Sequence, residues 1–216
     1  MDKICGNSNP FGGIVATRGT VATRGTVATK GSETTNSRLA IVGASGHGRV
    51  CADTAISSGW SDLVFFDDRF PERGDSFCGF PILGKVDDLI RNADDYESVF
   101  VAVGNNAGRA ILLEKLKKAN LSLATLISPF SYVSQFATLG SGSIVMPHAV
   151  VNAAAEVGEG AIINTGAIIE HDCILGTGVH ISPNAALAGS VKVGSQSWIG
   201  IGASIKHSIE IGERVI

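Results

Sequence analysis

The amino-acid sequence predicts two unlike parts in series: a small α/β domain on a parallel sheet over residues 38–126, and a coil of six-residue repeats over residues 127–216. Three observations carry this reading. From Ile127 to Ile211 every sixth position is Ile, Leu or Val without a miss, fifteen positions in all. Between residues 38 and 126 short apolar runs alternate with amphipathic stretches, the mark of strand and helix in turn. Before residue 38 the composition is of another kind altogether.

That first segment holds VATRGT at residues 15–20 and 21–26, then VATKGS at 27–32. Tandem copies of a small, polar unit bury too little surface to offset chain entropy, so residues 1–37 are expected to form a low-complexity, disordered leader. Val15, Val21 and Val27 keep a six-residue step, but Arg18, Arg24 and Lys30 recur there without the rest of the later pattern.

The α/β part opens with an apolar strand at residues 39–42, the loop GASGHG at 43–48 and a helix over roughly 49–58. A second strand, 63–66, ends in Asp67 and Asp68. A third, 98–103, ends in GNN at 104–106, ahead of a helix at 107–119 with a basic end. This is a small sheet of Rossmann-like type. A glycine-rich loop between strand and helix suits an anionic phosphate, held by backbone amides and the helix dipole. The usual dinucleotide fingerprint would place its middle glycine at position 45, which is Ser, with Gly46 beside it. Three strand ends rich in Gly, Asp and Asn converge where such sheets bind ligands, and the sheet suits one nucleotide rather than two.

In the coil, each aliphatic position is followed four residues later by a small or β-branched residue, as at Ala137, Ser143, Ala149, Cys173 and Val179. Neither a helix nor a simple strand has a period of six. Each hexad reads as a short strand with its aliphatic residue inward, then a turn rich in Gly, Asn, Asp and Ser. Three sides make an eighteen-residue coil, so the segment supplies five coils. The stretch resembles the left-handed parallel β-helix of the hexapeptide-repeat acyltransferases.

With GASGHG, FFDDR at 65–69, VAVGNN at 101–106 and NTGAIIEHDC at 164–173, the chain resembles one branch of that family. That branch is the sugar acetyltransferases, which include sialic acid O-acetyltransferases and enzymes that N-acetylate UDP-4-amino sugars. The resemblance implies an acetyl-CoA-dependent acyltransferase of glycan biosynthesis, with the UDP-sugar on the α/β domain. It implies acetyl-CoA lying along the β-helix, between neighbouring subunits of a homotrimer. It makes His171 the general base, with Asp172 beside it to orient the ring. His171 sits third in its hexad, which points it outward next to a turn. His180 is implied as an acetyl-CoA contact; Gly189, eighteen residues after His171 and so one coil further on the same side, is read either as a turn glycine or as an acetyl-CoA contact whose backbone amide holds the developing oxyanion. Ser45, Gly46, His47, Asp67, Asp68, Asn105, Asn106 and Arg109 are implied as the sugar-nucleotide contacts. His148 and His207 match no motif of the family. The expected reaction is transfer of acetyl to the amino group of a UDP-linked amino sugar, in one ternary complex. The alternatives are O-acetylation of sialic acid and a catalytically impaired sugar-nucleotide-binding trimer.

Composition sets the remaining bounds. A net charge of −3 offers no basic face for nucleic acid. Cys5, Cys51, Cys78 and Cys173 form no CxxC pair or metal spacing, so free thiols, a reducing cytoplasm and no metal are expected. No apolar run reaches the roughly 20 residues of a membrane span, and the first residues lack the pattern of a signal peptide. The family usually continues with a further coil and a short tail, so a chain stopping at Ile216 is expected to lack its cap.

Overall fold

The computed structural model describes residues 37–216; the VATRGT tract lies outside the described residues. The α/β domain runs β1 (Arg38–Val42), α1 (Gly46–Ser57), β2 (Asp62–Phe66), β3 (Ser76–Phe77), β4 (Phe80–Gly84), α2 (Val86–Arg91), β5 (Ser98–Val101) and α3 (Asn106–Lys118). Its sheet order is β3-β4-β2-β1-β5. The central strands are apolar on both faces and almost wholly buried, as parallel strands covered on two sides must be.

The expected parallel sheet is therefore enlarged and mixed. β4 joins β2 in parallel, and β3 pairs antiparallel with β4 at the edge. Gly79, Pro81 and Gly84 break up this region, which hid β4 and its short edge partner β3. The third strand ends at Val101 rather than residue 103, because Val103 and Gly104 turn their carbonyls to an arginine on α3.

From Leu126–Ile127 to Glu210–Ile211 the chain is a left-handed parallel β-helix of two-residue strands in three five-stranded sheets. Each strand pairs with the one eighteen residues on, as Val150 with Ile168, Glu156 with Ile174 and Ile162 with His180. Five coils result. The inward aliphatic residues and the small residues of the fifth hexad place form one continuous core, in which Ala149, Ala155, Ala161, Ala167 and Cys173 are fully buried.

A second periodicity lies in the backbone. At thirteen successive corners, from Gly142 to Arg214, the residue three places after the aliphatic one has φ between +55° and +71°. That left-handed conformation costs an ordinary residue about 1 kcal/mol or more, and Gly, Asn and Asp carry it most easily. The corners stack into three rows. The first contains Gly142, Gly160, Gly178 and Gln196; the second His148, Gly166, Asn184 and Gly202; the third Ala154, Asp172, Ser190 and Ser208.

The three sides differ in what they face. Side one, between the first and second rows, shows Leu126, Ile144, Ile162, His180 and Trp198 outward. The α/β domain covers its first coils, so Leu126, Ile144 and Ile162 share one core with Leu39, Phe65 and Phe100. Side two shows Tyr132, Val150, Ile168, Ala186 and Ser204, none of them charged. Side three shows Thr138, Glu156, Ile174, Lys192 and Glu210. Along the first row lies α3, whose Leu113 sits directly over Gly142 and Gly160.

Candidate active site

His171 stands on the third corner row, just before Asp172, which takes the left-handed conformation at φ +59°. That turn brings the carboxylate back under its neighbour: His171 Nδ1 and Asp172 Oδ2 are 2.7 Å apart. Nδ1 then carries the hydrogen and donates it, which leaves Nε2 as the nitrogen free to accept a proton. The bond to Asp172 raises the imidazole above its usual 6.5 against the opposing effect of desolvation, with the charges of Asp172 and then Glu170 adding to the rise. The ring is well exposed, at 62%.

Gly189 lies one coil on, in the same stack. A Cβ there would stand 2.5 Å from His171 Cε1 and 2.6 Å from Nε2, so the ring rests on bare backbone. The next amide, of Ser190, donates to the His171 carbonyl at 2.9 Å, which fixes the spacing of the two turns. His171, Asp172 and Gly189, separated in sequence, thus form one constellation. Its chemistry is a basic nitrogen beside a stretch of backbone open to close approach.

His180 is not part of it. It lies on side one, across the coil from that corner, with its ring stacked on Trp198 at 5.4 Å and 2°. Asn164 Oδ1 accepts from the Thr165 amide, so Asn164 Nδ2 is the atom 3.1 Å from His180 Nε2. Nε2 must accept that bond, which puts the ring hydrogen on Nδ1, a buried atom with no partner among the described residues. Burial, then the Arg109 charge and His47, pull His180 down to about 4. Within one chain, therefore, His180 and Gly189 do not share a surface. Asn164, within the NTGAIIEHDC motif, and Trp198, one coil beyond His180, join this cluster although residue type alone gives neither a part in it.

The strand ends of the α/β domain form a second constellation. Gly43, at φ +112°, and Gly48 are needed for the turn itself, since a Cβ at either would meet backbone. Gly46 has open space around its missing Cβ, and the Ser45 hydroxyl makes no cap bond to α1. A ligand can therefore approach the first turn of α1 there. His47 is half-buried, its Nε2 3.5 Å from Cys51 Sγ, and burial with the Arg109 charge lowers it to about 4.

The remaining expected sugar-nucleotide contacts hold the loops together. Asp67 accepts from the amides of Ala44 at 2.9 Å and Arg69 at 3.0 Å, with the guanidinium of Arg73 close by. Its carboxylate ties the glycine-rich loop to the second strand end. Asp68 is exposed and accepts from the Val86 amide with one oxygen. Asn105 caps α3 by accepting from the Gly108 amide.

Two of the expected contacts have their polar atoms engaged within the chain. Arg109, 1% exposed, donates to the carbonyls of Gly160, Gly178, Val103 and Gly104 and to Asn106 Oδ1. No donor is left over for a phosphate. Burial lowers the guanidinium to about 10, so it stays charged at neutral pH. Asn106 is spent in the same way, since its Nδ2 donates to the carbonyls of Gln196 and Ser197. Among the described residues, no group of three or more His, Cys, Asp or Glu is placed to hold a metal ion, and no helix is long and apolar enough to cross a membrane.

Residues 38–116 match the family model of the PglD N-terminal domain. The chain is 39% identical to the acetyltransferase domain of PglB from Neisseria gonorrhoeae in complex with acetyl coenzyme A, over 83% of this chain and 86% of that one, with a TM-score of 0.78. It is 34% identical to PerB from Caulobacter crescentus, solved in complex with CoA and GDP-perosamine, over 81% of this chain and 83% of that one, with a TM-score of 0.76. WeeI from Acinetobacter baumannii shares the fold at 21% identity, over 80% of this chain and 93% of that one, with a TM-score of 0.60. A glycine-rich α/β domain, an uninterrupted six-residue coil and a histidine seated on backbone at one corner make the chain a member of the hexapeptide-repeat, acetyl-CoA-dependent sugar acetyltransferases.

Proposed function

We propose that this enzyme moves the acetyl group of acetyl-CoA to the amino group of a nucleotide-linked amino sugar, with His171 as the base. The observation that carries this is the seating of the His171 ring on Gly189, with Nδ1 committed to Asp172 and Nε2 free. Acetyl-CoA supplies the thioester. As the sugar nitrogen bonds to the acyl carbon and the carbon–sulfur bond breaks, His171 Nε2 takes the proton from the nitrogen and passes it to the departing sulfur. Asp172 stabilises the imidazolium in between, and the Gly189 backbone lets the thioester lie close enough for an amide to meet the charge on its oxygen. Cys173 is a buried corner filler that burial keeps protonated, so no acyl-enzyme is required.

The sugar nucleotide is assigned to Ser45, Gly46 and His47, where α1 offers open backbone, with Asp68 and Asn105 at the rim. PerB was solved with GDP-perosamine, which supports an amino-sugar nucleotide as the acceptor class. The resemblance of GASGHG, FFDDR and VAVGNN to the UDP-amino-sugar enzymes favours UDP as the nucleotide.

A trimer follows from the same reading. The α/β domain covers side one, whereas the His171 corner lies between sides two and three. An acceptor held by one chain therefore meets the base of another. Uncharged side two, with Tyr132 57% and Ile168 39% exposed, is the face suited to a second copy. We also assign the enzyme to the cytoplasm, on the strength of free Cys51, Cys78 and Cys173.

The test is acetyl-CoA consumption against UDP- and GDP-linked amino sugars and free sialic acid. Turnover with the nucleotide-linked amines and none with sialic acid is expected. Turnover with sialic acid alone would replace this function with O-acetylation.

A further inference from the structure

The side chains that fasten α3 to the β-helix fall into a ladder. Leu113 lies over the corner glycines Gly142 and Gly160. Arg109 donates to the carbonyls of Gly160 at 2.7 Å and Gly178 at 2.7 Å. Asn106 donates to Gln196 at 2.9 Å and Ser197 at 3.2 Å. Four successive members of the first corner row are thus met in order by residues 113, 109 and 106, which lie one helical turn apart.

Two unrelated repeats make this possible. An α-helix climbs about 5.4 Å per turn and a stack of parallel strands about 4.8 Å per layer, so over two or three layers the mismatch stays between about 1 and 2 Å. Three of the four corner residues are glycine, which lets the helix lie directly on the turns. Among the described residues Arg109 is a buried cation with no carboxylate partner, its charge met there by carbonyls and one amide oxygen. Because those carbonyls come from both the β5 strand end and the coil, the side chain fixes one against the other.

The height at which this happens matters. The α3 N-terminus, with the Asn105 loop, is tied at Gly178 and Gln196. His171 and Gly189 belong to the coils that end at those same two corners. A rotation about an axis parallel to the coil preserves height, so in a side-by-side trimer the acceptor loops of one copy are level with His171 of the next.

We propose that Asn106 and Arg109 are positioning residues that set the height of the sugar-nucleotide loops on the coil ladder, so that the acceptor nitrogen meets the acyl carbon over His171. This rests on the proposed function for its chemistry and on the ladder of contacts for its geometry. Misplacement by about 1 Å costs on the order of 10²-fold in rate while each half-site stays intact.

The test uses Arg109→Lys and Asn106→Ala in the full chain. Calorimetry is expected to give affinities for acetyl-CoA and for the sugar nucleotide within about two-fold of wild type, while single-turnover transfer falls by roughly 10- to 100-fold. Scanning calorimetry is expected to split one melting transition into two as the domains uncouple. Should Arg109→Lys fail to fold, Asn106→Ala, which leaves the arginine in place, carries both measurements. Unchanged transfer in a folded variant, or affinity falling in step with rate, overturns the proposal. If wild type transfers acetyl to no sugar nucleotide, the proposed function fails instead, and the splitting of the melting transition still decides the role of the ladder.

Discussion

At the scale of single residues, the His171 corner makes distinct demands on its neighbours. His171→Ala is expected to lower turnover by about 10²- to 10⁴-fold with both substrates still bound, as measured by steady-state kinetics beside calorimetry. Asp172 raises the imidazole, so the base is protonated and inactive below that raised value and activity climbs as pH rises through it. Asp172→Asn should therefore move the acid limb of the pH–rate profile to lower pH while turnover drops less than in His171→Ala. Gly189→Ala pushes a methyl against the ring. Because the ring is exposed and free to swing, stability should change by less than about 1 kcal/mol, whereas turnover falls at least about ten-fold. A variant of normal rate would show that the ring does not need its seat. His171 and Gly189 were legible as a pair from their spacing of eighteen. The lack of room for a Cβ between them was not, since spacing says nothing of how closely two turns stack.

At the scale of elements, the six-residue step made every inward position of the β-helix readable, because one residue of slippage would turn an aliphatic side chain outward. The backbone step at the corners was only half visible. Ala154, Gln196 and Arg214 adopt the same positive φ as the glycines, so residue type alone did not mark them. What residue type does mark is contact. Ala154 carries φ +60°, whereas Gly160, at +62°, has Leu113 of α3 against its missing Cβ. Gly160→Ala should accordingly destabilise the chain by about 2–4 kcal/mol, read by denaturant unfolding, as left-handed strain adds to overpacking of a buried leucine. The part of Arg109 was unreadable for a related reason. A motif places it near a phosphate-type loop, and only the fold shows carbonyls from two domains closing on its guanidinium. β3 and β4 were missed because their glycines and proline resemble a loop.

At the scale of the whole molecule, the two constellations lie on different faces of one chain, and this makes a direct prediction. Mixing a His171→Ala chain with a chain whose nucleotide loop is blocked by Gly46→Leu should restore part of the lost activity, since some interfaces then pair an intact loop with an intact base. Absence of complementation in mixed trimers would mean that each chain serves itself. A second prediction concerns acid. His47 and His180 are held near 4 in the fold against 6.5 when unfolded, so the unfolded chain takes up their protons first. Their contribution to stability is present above pH 6.5 and is lost as pH falls toward 4. The melting temperature should drop across that window, and His180→Gln should flatten the slope.

The stacked corners also set the units in which such a chain can change length. Adding eighteen residues beyond Gln196 would raise the tower by one storey and leave α3, His171 and Gly189 where they stand. Adding six anywhere between Gly160 and His171 would turn all that follows through a third of a revolution and carry the histidine to another edge. Length variation in this architecture is quantised, with a larger quantum through the stitched storeys than the six-residue repeat alone suggests.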